Sequence, residues 1–139
     1  MQTNEIRKEK EINITAIQYI SESERFLAKS IRVVEEHLSE PEFDNVAFAR
    51  YMNVSKSSLY RKIKSLTGLA SVEFIKNIRL KHANRILKSK PVSVSKVAYT
   101  VGFNEPKYFS IYFKEEYGIT PKEFNKREIK NWKQALESN

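Results

Sequence analysis

Residues 95–109 read SKVAYTVGFNEPKYF, and this stretch contains one of only three glycines in the chain. The residues on either side favour helix, whereas Gly102 and Asn104 favour a turn. Pro106 suits the first turn of a helix, because the amide hydrogen that proline lacks has no acceptor there. The stretch therefore predicts a short helix capped by Ser93, a turn at Gly102, and a second helix capped by Asn104.

The second of these helices has a counterpart 50 positions earlier in the chain. The segment SLYRKIKSLTGLASVEF begins at Ser58, the segment YFSIYFKEEYGITPKEF begins at Tyr108, and their glycines, Gly68 and Gly118, are equivalent. Repetition at this period indicates two copies of one supersecondary unit. Each copy is a short helix, a break and a longer helix, which is the helix-turn-helix plan.

Helix-end signals place further helices around the two copies. Periodic apolar residues predict one helix from Ser21 that ends before Pro41, and a short one that Asp44 caps. A longer helix starts at Ser71, ends before Pro91 and joins the two copies. The predicted inward-facing residues of these helices are Phe26, Leu27, Ile31, Val34, Leu38, Val46, Phe48, Ala49, Met52, Val72, Ile75, Ile78, Leu80, Ala83, Ile86 and Leu87. The expected fold class is all-α, with two helix-turn-helix subdomains joined by a long central helix and about seven helices in total.

The length of 139 residues suits one compact domain with tails. We expect residues 1–20 to be a linker or the tail of an upstream domain, residues 21–126 to form the domain, and residues 127–139 to be a C-terminal tail. Within the domain, we expect a first subdomain at residues 21–70, a linking helix at residues 71–90 and a second subdomain at residues 91–126. No apolar run reaches the roughly 20 residues that span a bilayer, and no signal peptide is evident. A cytoplasmic location without membrane contact is expected.

The net charge of +8 is concentrated in the middle of the chain. Residues 50–90 carry +10, whereas residues 1–20, 21–49 and 91–139 carry 0, −4 and +2. Such a block is often only a solvated helix face, but it also attracts a polyanion such as nucleic acid. The basic residues of the joining helix are interpreted as solvated charges that add general attraction, and they are Lys76, Arg79, Lys81, Arg85 and Lys88.

Each copy presents a polar helix face beside its apolar face. Residues three, four and seven positions apart share one face of a helix, and Leu59 and Ile63 mark the apolar face of the first copy. The polar faces hold Ser57, Tyr60, Arg61 and Lys64 in the first copy and Lys107, Ser110, Ile111 and Lys114 in the second. Arginine pairs with guanine through two hydrogen bonds, lysine and serine donate to base edges or phosphates, and an apolar side chain can contact a thymine methyl. These eight residues are the candidate binding residues for double-stranded DNA, the alternative being the wet side of two amphipathic helices.

These residues also carry a family resemblance. The chain resembles the AraC/XylS-type DNA-binding domain over about Phe26 to Lys126, in NVSKSSLYRKIKSLTG, FIKNIRLKHANRILK and VSKVAYTVGFNEPKYFSIYFKEEYGITPKEF. The last segment contains the patterns A-x-x-x-G-F and F-K-x-x-x-G-x-T-P. The resemblance implies seven helices, two helix-turn-helix subdomains, and sequence-specific control of transcription, usually activation. It also implies DNA contacts from Ser57, Tyr60, Arg61, Lys107, Ser110 and Ile111, with Lys64 and Lys114 on phosphates, although the family often has arginine at the position of Ile111.

Two segments, one before the domain and one within it, carry a narrower resemblance. INITAIQYISESERFLAKSI and LYRKIKSLTG are similar to the C-terminal output domains of response regulators and of hybrid two-component sensors from gut-type Bacteroidetes. In those proteins a receiver domain precedes the segment that corresponds to residues 1–20. The resemblance implies that upstream receiver or sensor domains are missing from this chain, and that RNA polymerase is a further partner.

Two other classes of function explain less of the sequence. A basic helical module that docks on an acidic protein partner accounts for the charge but not for the repeated polar faces. An enzyme lacks support, because the sequence has no Gly-rich phosphate loop and no Ser/His/Asp spacing. The chain has no cysteine, and His37 and His82 lie far apart, so we expect neither a metal site nor a cofactor. Without dimerisation heptads, the isolated chain is expected to be a monomer.

Overall fold

A computed structural model describes the backbone of residues 2–138, and the side chains of residues 18 and 20–138. In that part of the chain there are seven α-helices and no strand, which confirms the predicted all-α fold. The helices are α1 (Gln2–Glu36), α2 (Asn45–Tyr51), α3 (Lys56–Thr67), α4 (Ser71–Ser89), α5 (Val94–Thr100), α6 (Pro106–Tyr117) and α7 (Pro121–Glu137). None of them, within the described residues, combines the length and apolarity needed to cross a membrane.

Three helices begin at side chains that accept hydrogen bonds from the first turn. Asp44 Oδ1 accepts hydrogen bonds from two amides of α2 at 3.1 and 3.0 Å, and Ser55 Oγ accepts one from the amide of Ser58 at 3.1 Å. Thr120 Oγ1 accepts a hydrogen bond from the amide of Glu123 at 3.2 Å, at the start of α7. These bonds satisfy amides that have no acceptor inside the helix, and those to Asp44 confirm the predicted start of α2.

The predicted caps around α5 and α6 are different. Ser93 occupies the N-cap position of α5, but its side chain makes no capping hydrogen bond. The prediction that Asn104 caps α6 is wrong, because Glu105 occupies that position, again without a side-chain bond. Pro106 is the first residue of α6, as predicted. A proline holds the residue before it in the extended region, so the helix boundary falls at Glu105, whose φ is −132° and ψ 127°.

The two copies of the repeat have the same backbone plan. α3 and α6 each contain 12 residues and end at equivalent glycines, Gly68 and Gly118, with φ angles of 78° and 76°. Each glycine donates its amide to the carbonyl four residues earlier, at 2.8 and 2.7 Å. The left-handed conformation that ends both helices is the one that glycine adopts most easily. The repeat predicted from the sequence is therefore present in the structure.

Two apolar cores lie side by side, and α4 contributes to both. The first core contains Val33, Val34, Phe43, Phe48, Ala49, Met52, Leu59, Ile63, Phe74, Ile75 and Ile78. The second contains Leu80, Ala83, Leu87, Val97, Ala98, Val101, Phe103, Phe109, Phe113 and Phe124. Among the described side chains, Leu38 packs against both cores. The change from one core to the other occurs between Ile78 and Leu80, halfway along α4.

Three residues predicted to face inward are exposed instead. Ile31, Val46 and Val72 expose 38%, 49% and 60% of their surface. Val46 and Val72 lie in the first turns of their helices. In α1 the buried stripe runs through Ser30 instead of Ile31. The hydroxyl of Ser30 can be buried because it donates to a carbonyl of its own helix at 2.8 Å.

The end segments are helical. α1 begins at Gln2, so residues 2–20, the expected linker, continue directly into the first helix of the domain. α7 extends to Glu137 and includes most of the expected tail at residues 127–139. Near the start of α7, buried Asn125 donates from Nδ2 to the carbonyls of Leu87 at 2.7 Å and Lys90 at 2.8 Å, which closes the C-terminus of α4. The proposed boundaries near residues 20 and 126 stay predictions.

Candidate nucleic-acid interface

The eight candidate residues lie on the outer sides of α3 and α6. The opposite sides of these helices are anchored by Leu59, Ile63, Phe109 and Phe113, which are fully buried. Tyr60 and Ile111 expose 47% and 43% of their surface, and Ser110 is half-buried. The remaining five are exposed, and they are Ser57, Arg61, Lys64, Lys107 and Lys114. Both faces are thus free to meet a partner, and contact with DNA stays a prediction.

Three of the four α3 candidates line one open depression of about 350 Å³. They are Ser57, Tyr60 and Arg61, and the lining is completed by Asn45 at the start of α2 and by Lys56. The sequence-based list omits both of these residues. Lys56 directly follows the N-cap residue Ser55, so its position at the start of α3 can be predicted from the sequence. The position of Asn45 depends on how α2 packs on α3, for which the local sequence gives no signal.

The α6 candidates lie on the second unit, outside this depression. Aromatic packing holds their helix in place, since the ring of Phe109 lies 5.3 Å from that of Phe103 and 5.8 Å from that of Phe113. These contacts fill the second core and leave Lys107 and Lys114 on the solvent side. Tilted aromatic pairs of this kind add stability beyond the apolar area that they bury. The α6 face is therefore carried by a helix that is packed against the second core.

The positive charges of the candidate faces are not neutralised by carboxylates in the described part of the chain. The two contacts found there between a basic and an acidic side chain are His37 with Glu40, and His82 with Glu35 at 2.7 Å. Neither includes a lysine or arginine of α3 or α6. Unpaired cations at a surface attract a polyanion over about one Debye length, roughly 8 to 10 Å at physiological salt.

Arg79 contradicts the interpretation that all five basic residues of α4 are solvated. It exposes 7% of its surface, and this burial lowers the pKa of its guanidinium from the ordinary value, while Glu42 acts in the opposite direction. The guanidinium donates hydrogen bonds to the carbonyls of Gly102 and Glu40. From the sequence alone, a charged residue in the middle of a helix is expected to lie at the surface. The carbonyl partners of Arg79 lie 23 and 39 positions away, so no local pattern indicates that it is buried.

The other four basic residues of α4 differ in exposure. Lys81, Arg85 and Lys88 are exposed, as interpreted from the sequence. Lys76 is half-buried, and its Nζ lies 4.4 Å from the ring centroid of Tyr112 on α6. A lysine over an aromatic face is attracted to the ring electrons, so Lys76 links α4 to the second unit.

Within the described residues, no three histidine or acidic side chains are grouped closely enough to hold a metal ion. Both histidines face a glutamate instead, His37 facing Glu40 and His82 facing Glu35.

Comparisons with known proteins agree with this geometry. A family model described as a helix-turn-helix domain matches residues 48–127. Histidine kinase P4 of Formosa agariphila is 36% identical over 118 residues, which are 85% of this chain and only 9% of the kinase. The C-terminal domain of AraT, a response regulator from Geobacillus stearothermophilus, has a TM-score of 0.67 at 25% identity, over 73% of this chain and 84% of that one. The DNA-binding domain of the global transcriptional factor AdpA, solved with a target DNA, has a TM-score of 0.67 at 30% identity, over 73% and 90%.

Proposed function

Because this chain belongs to the AraC-type family of helix-turn-helix domains, the DNA-binding domains of transcription regulators, we propose that α3 and α6 read specific sequences of duplex DNA. One observation carries the proposal. Two helices of equal length, each anchored by a fully buried apolar side, expose equivalent polar faces. A helix held in this way fits the major groove, and two of them about one helical turn of DNA apart, about 34 Å, would read a bipartite site.

The residues on each face suit different parts of the duplex. Planar Arg61 can pair with a guanine edge through two hydrogen bonds, and exposed Ile111 suits a thymine methyl. Lysines near the C-terminal ends of the two helices suit phosphate oxygens. The proposed base contacts are Ser57, Tyr60, Arg61, Lys107, Ser110 and Ile111, and the proposed phosphate contacts are Lys64 and Lys114.

The burial of Arg79 weighs against a basic module that docks on an acidic protein. That alternative uses the charges of Lys76 and Arg79 on the joining helix, but the guanidinium of Arg79 is bonded to three backbone carbonyls inside the domain. Arg79 exposes only 7% of its surface. DNA binding uses the exposed charges of α3 and α6 instead.

The first experiment is a titration of duplex DNA at increasing salt concentration. Contacts with phosphates release counterions, so the logarithm of the affinity should fall linearly with the logarithm of the salt concentration. If about six phosphates are contacted, the affinity falls about 10³-fold between roughly 50 and 200 mM salt. An affinity that ignores salt would exclude a phosphate-binding surface.

The second experiment compares two arginine variants of equal charge. Arg61→Ala should weaken binding to a selected site by about 1–3 kcal/mol and relax the preference at one base pair. Arg85→Ala removes the same side chain from the groove between α1 and α4, and should leave that preference intact. Equal effects of the two substitutions on sequence preference would refute the assignment of Arg61 to a base contact.

We further propose that the domain is the output module of a two-component signalling protein, that it activates transcription in the cytoplasm, and that RNA polymerase is its partner at the promoter. The similarity to a histidine kinase and to the C-terminal domain of a response regulator supports this role. Sequencing the coding region upstream of residue 1 tests the missing domains, since a receiver or sensor domain is expected there. A promoter fusion tests activation, because transcription should rise with the wild-type domain and not with Arg61→Ala.

A further inference from the structure

One arginine lies where the two helix-turn-helix units meet. Arg79 is the only charged residue that is buried among those that the structure describes. Along α4 it stands between Ile78, which belongs to the first core, and Leu80, which belongs to the second. Arginine stays protonated inside proteins, so the joint between the units holds a fixed positive charge.

The guanidinium of Arg79 is bonded to the backbone of both units. Nη1 donates to the carbonyl of Gly102, in the connection between α5 and α6 of the second unit. Nη2 donates to the carbonyls of Glu40 at 2.8 Å and Phe43 at 3.4 Å, in the connection between α1 and α2 of the first unit. Among the described residues, neither contact between a basic and an acidic side chain includes Arg79. The side chain therefore bridges two backbone segments and does not serve as the partner of one carboxylate.

The same two connections approach each other closely at Gly102. A β-carbon at this position would lie closer than 3.0 Å to the carbonyl oxygen of Leu38 and 2.9 Å from Cζ of Arg79. The cores of the two units are otherwise separate, with Leu38 as the side chain that packs against both in the described chain. Together with α4 and Leu38, this small polar joint thus contributes to the orientation of one unit on the other.

We propose that Arg79 is a positioning residue that fixes the separation and rotation of α3 relative to α6, and so sets the spacing between the two DNA half-sites. The inference rests on the proposed function, because it requires that both helices read DNA. One additional base pair moves a half-site by about 3.4 Å and rotates it by about 34° around the duplex. A joint held by several hydrogen bonds cannot follow this shift without breaking them, so the wild-type domain should reject an altered spacing.

The test uses duplexes selected from a random pool by the wild-type chain, together with versions whose spacer is one base pair longer or shorter. A single mismatch typically weakens binding about fivefold or more, so losing the contacts of one half-site should weaken wild-type binding at least about tenfold. Arg79→Met removes the hydrogen-bond donors and keeps a long side chain. We expect its penalty for an altered spacer to fall to about threefold or less, while its affinity for a duplex with a single half-site matches that of the wild type. Arg79→Lys keeps the charge and one donor group, and should restore part of the discrimination.

Folding is checked first, by circular dichroism and thermal unfolding at the temperature of the binding assay, and Arg79→Gln replaces Arg79→Met if the latter does not fold. An unchanged spacing penalty in a folded variant overturns the inference. So does an equal loss of affinity for every duplex, the single half-site included, because that result shows a purely structural role. A wild-type chain that binds tightly without any spacing preference overturns the inference alone. One that binds no duplex overturns the proposed function and the inference together.

Discussion

Replacing Gly102 with alanine should destabilise the domain far more than the same change at the other two glycines. All three have positive φ angles, of 78° at Gly68, 91° at Gly102 and 76° at Gly118, so each alanine has the left-handed backbone penalty of about 1–2 kcal/mol. A β-carbon at Gly68 or Gly118 would meet nothing within 4 Å. These two positions are therefore matched controls for the backbone term.

Gly102 adds a steric term to that penalty. Its β-carbon would lie 2.9 Å from both Cζ and Nη1 of Arg79, and closer still to the carbonyl oxygen of Leu38. The backbone oxygen cannot move without shifting the whole connection between α1 and α2. If the guanidinium moves instead, buried carbonyls lose their donors, at about 1–3 kcal/mol for each. We expect Gly102→Ala to lower the free energy of unfolding by about 3–6 kcal/mol, a large part of the roughly 5–15 kcal/mol of a typical domain.

Urea unfolding followed by circular dichroism measures this difference in the wild type and the three alanine variants. The decisive quantity is the decrease in the free energy of unfolding caused by Gly102→Ala, minus the mean decrease caused by Gly68→Ala and Gly118→Ala. We expect this difference to be at least about 2 kcal/mol. Three equal losses would refute the close approach of the two units at this turn. The measurement does not involve DNA, so it tests the joint independently of function.

Three further predictions concern the caps, the joint and alkaline pH. Ser55→Ala should lower the free energy of unfolding by about 1 kcal/mol, whereas Ser93→Ala, which removes no capping hydrogen bond, should change urea unfolding little. A double-mutant cycle with Lys76→Met and Tyr112→Leu should give a coupling energy of about 0.5–1 kcal/mol, and additive effects would show that the contact contributes nothing. Burial, and to a smaller extent a neighbouring glutamate, raises the pKa of Tyr117. The contribution of Tyr117 to the free energy of unfolding should therefore be fully present below pH about 10 and be lost as the pH rises further. In unfolding experiments, Tyr117→Phe should reduce this alkaline loss of stability.

Most of the fold could be predicted from the sequence, because the ends and the apolar faces of the helices depend on residues close together in the chain. Ser55 and Gly68 each act through bonds to residues within four positions, so the bounds of α3 follow from the residues at its ends. The apolar faces of α3 and α6 are equally local, because helical periodicity alone decides which residues share a side. The repeat in the sequence then predicted two similar units joined by one helix.

What the sequence did not reveal depends on contacts between distant segments. Arg79 lies in a helix that also carries the exposed residues Lys81, Arg85 and Lys88, and the approach of two distant turns makes its own position a buried one. Val72 fits the apolar period of α4, yet 60% of its surface is exposed. For the candidate interface, the residues of α3 and α6 were predictable from their faces, whereas Asn45 enters through the packing of α2.

The division of α4 between two cores limits how such domains can be recombined. A chimera joined near residue 91, with the second unit of a relative, would keep Leu80, Ala83 and Leu87 of this chain as one wall of a foreign core. A junction before residue 71 reverses the problem, since the relative's residues at the positions of Phe74 and Ile78 would then have to complete the first core. Transferring DNA preference by exchanging whole units therefore requires repacking α4, whereas exchanging only the outer residues of α3 or α6 leaves both interiors intact.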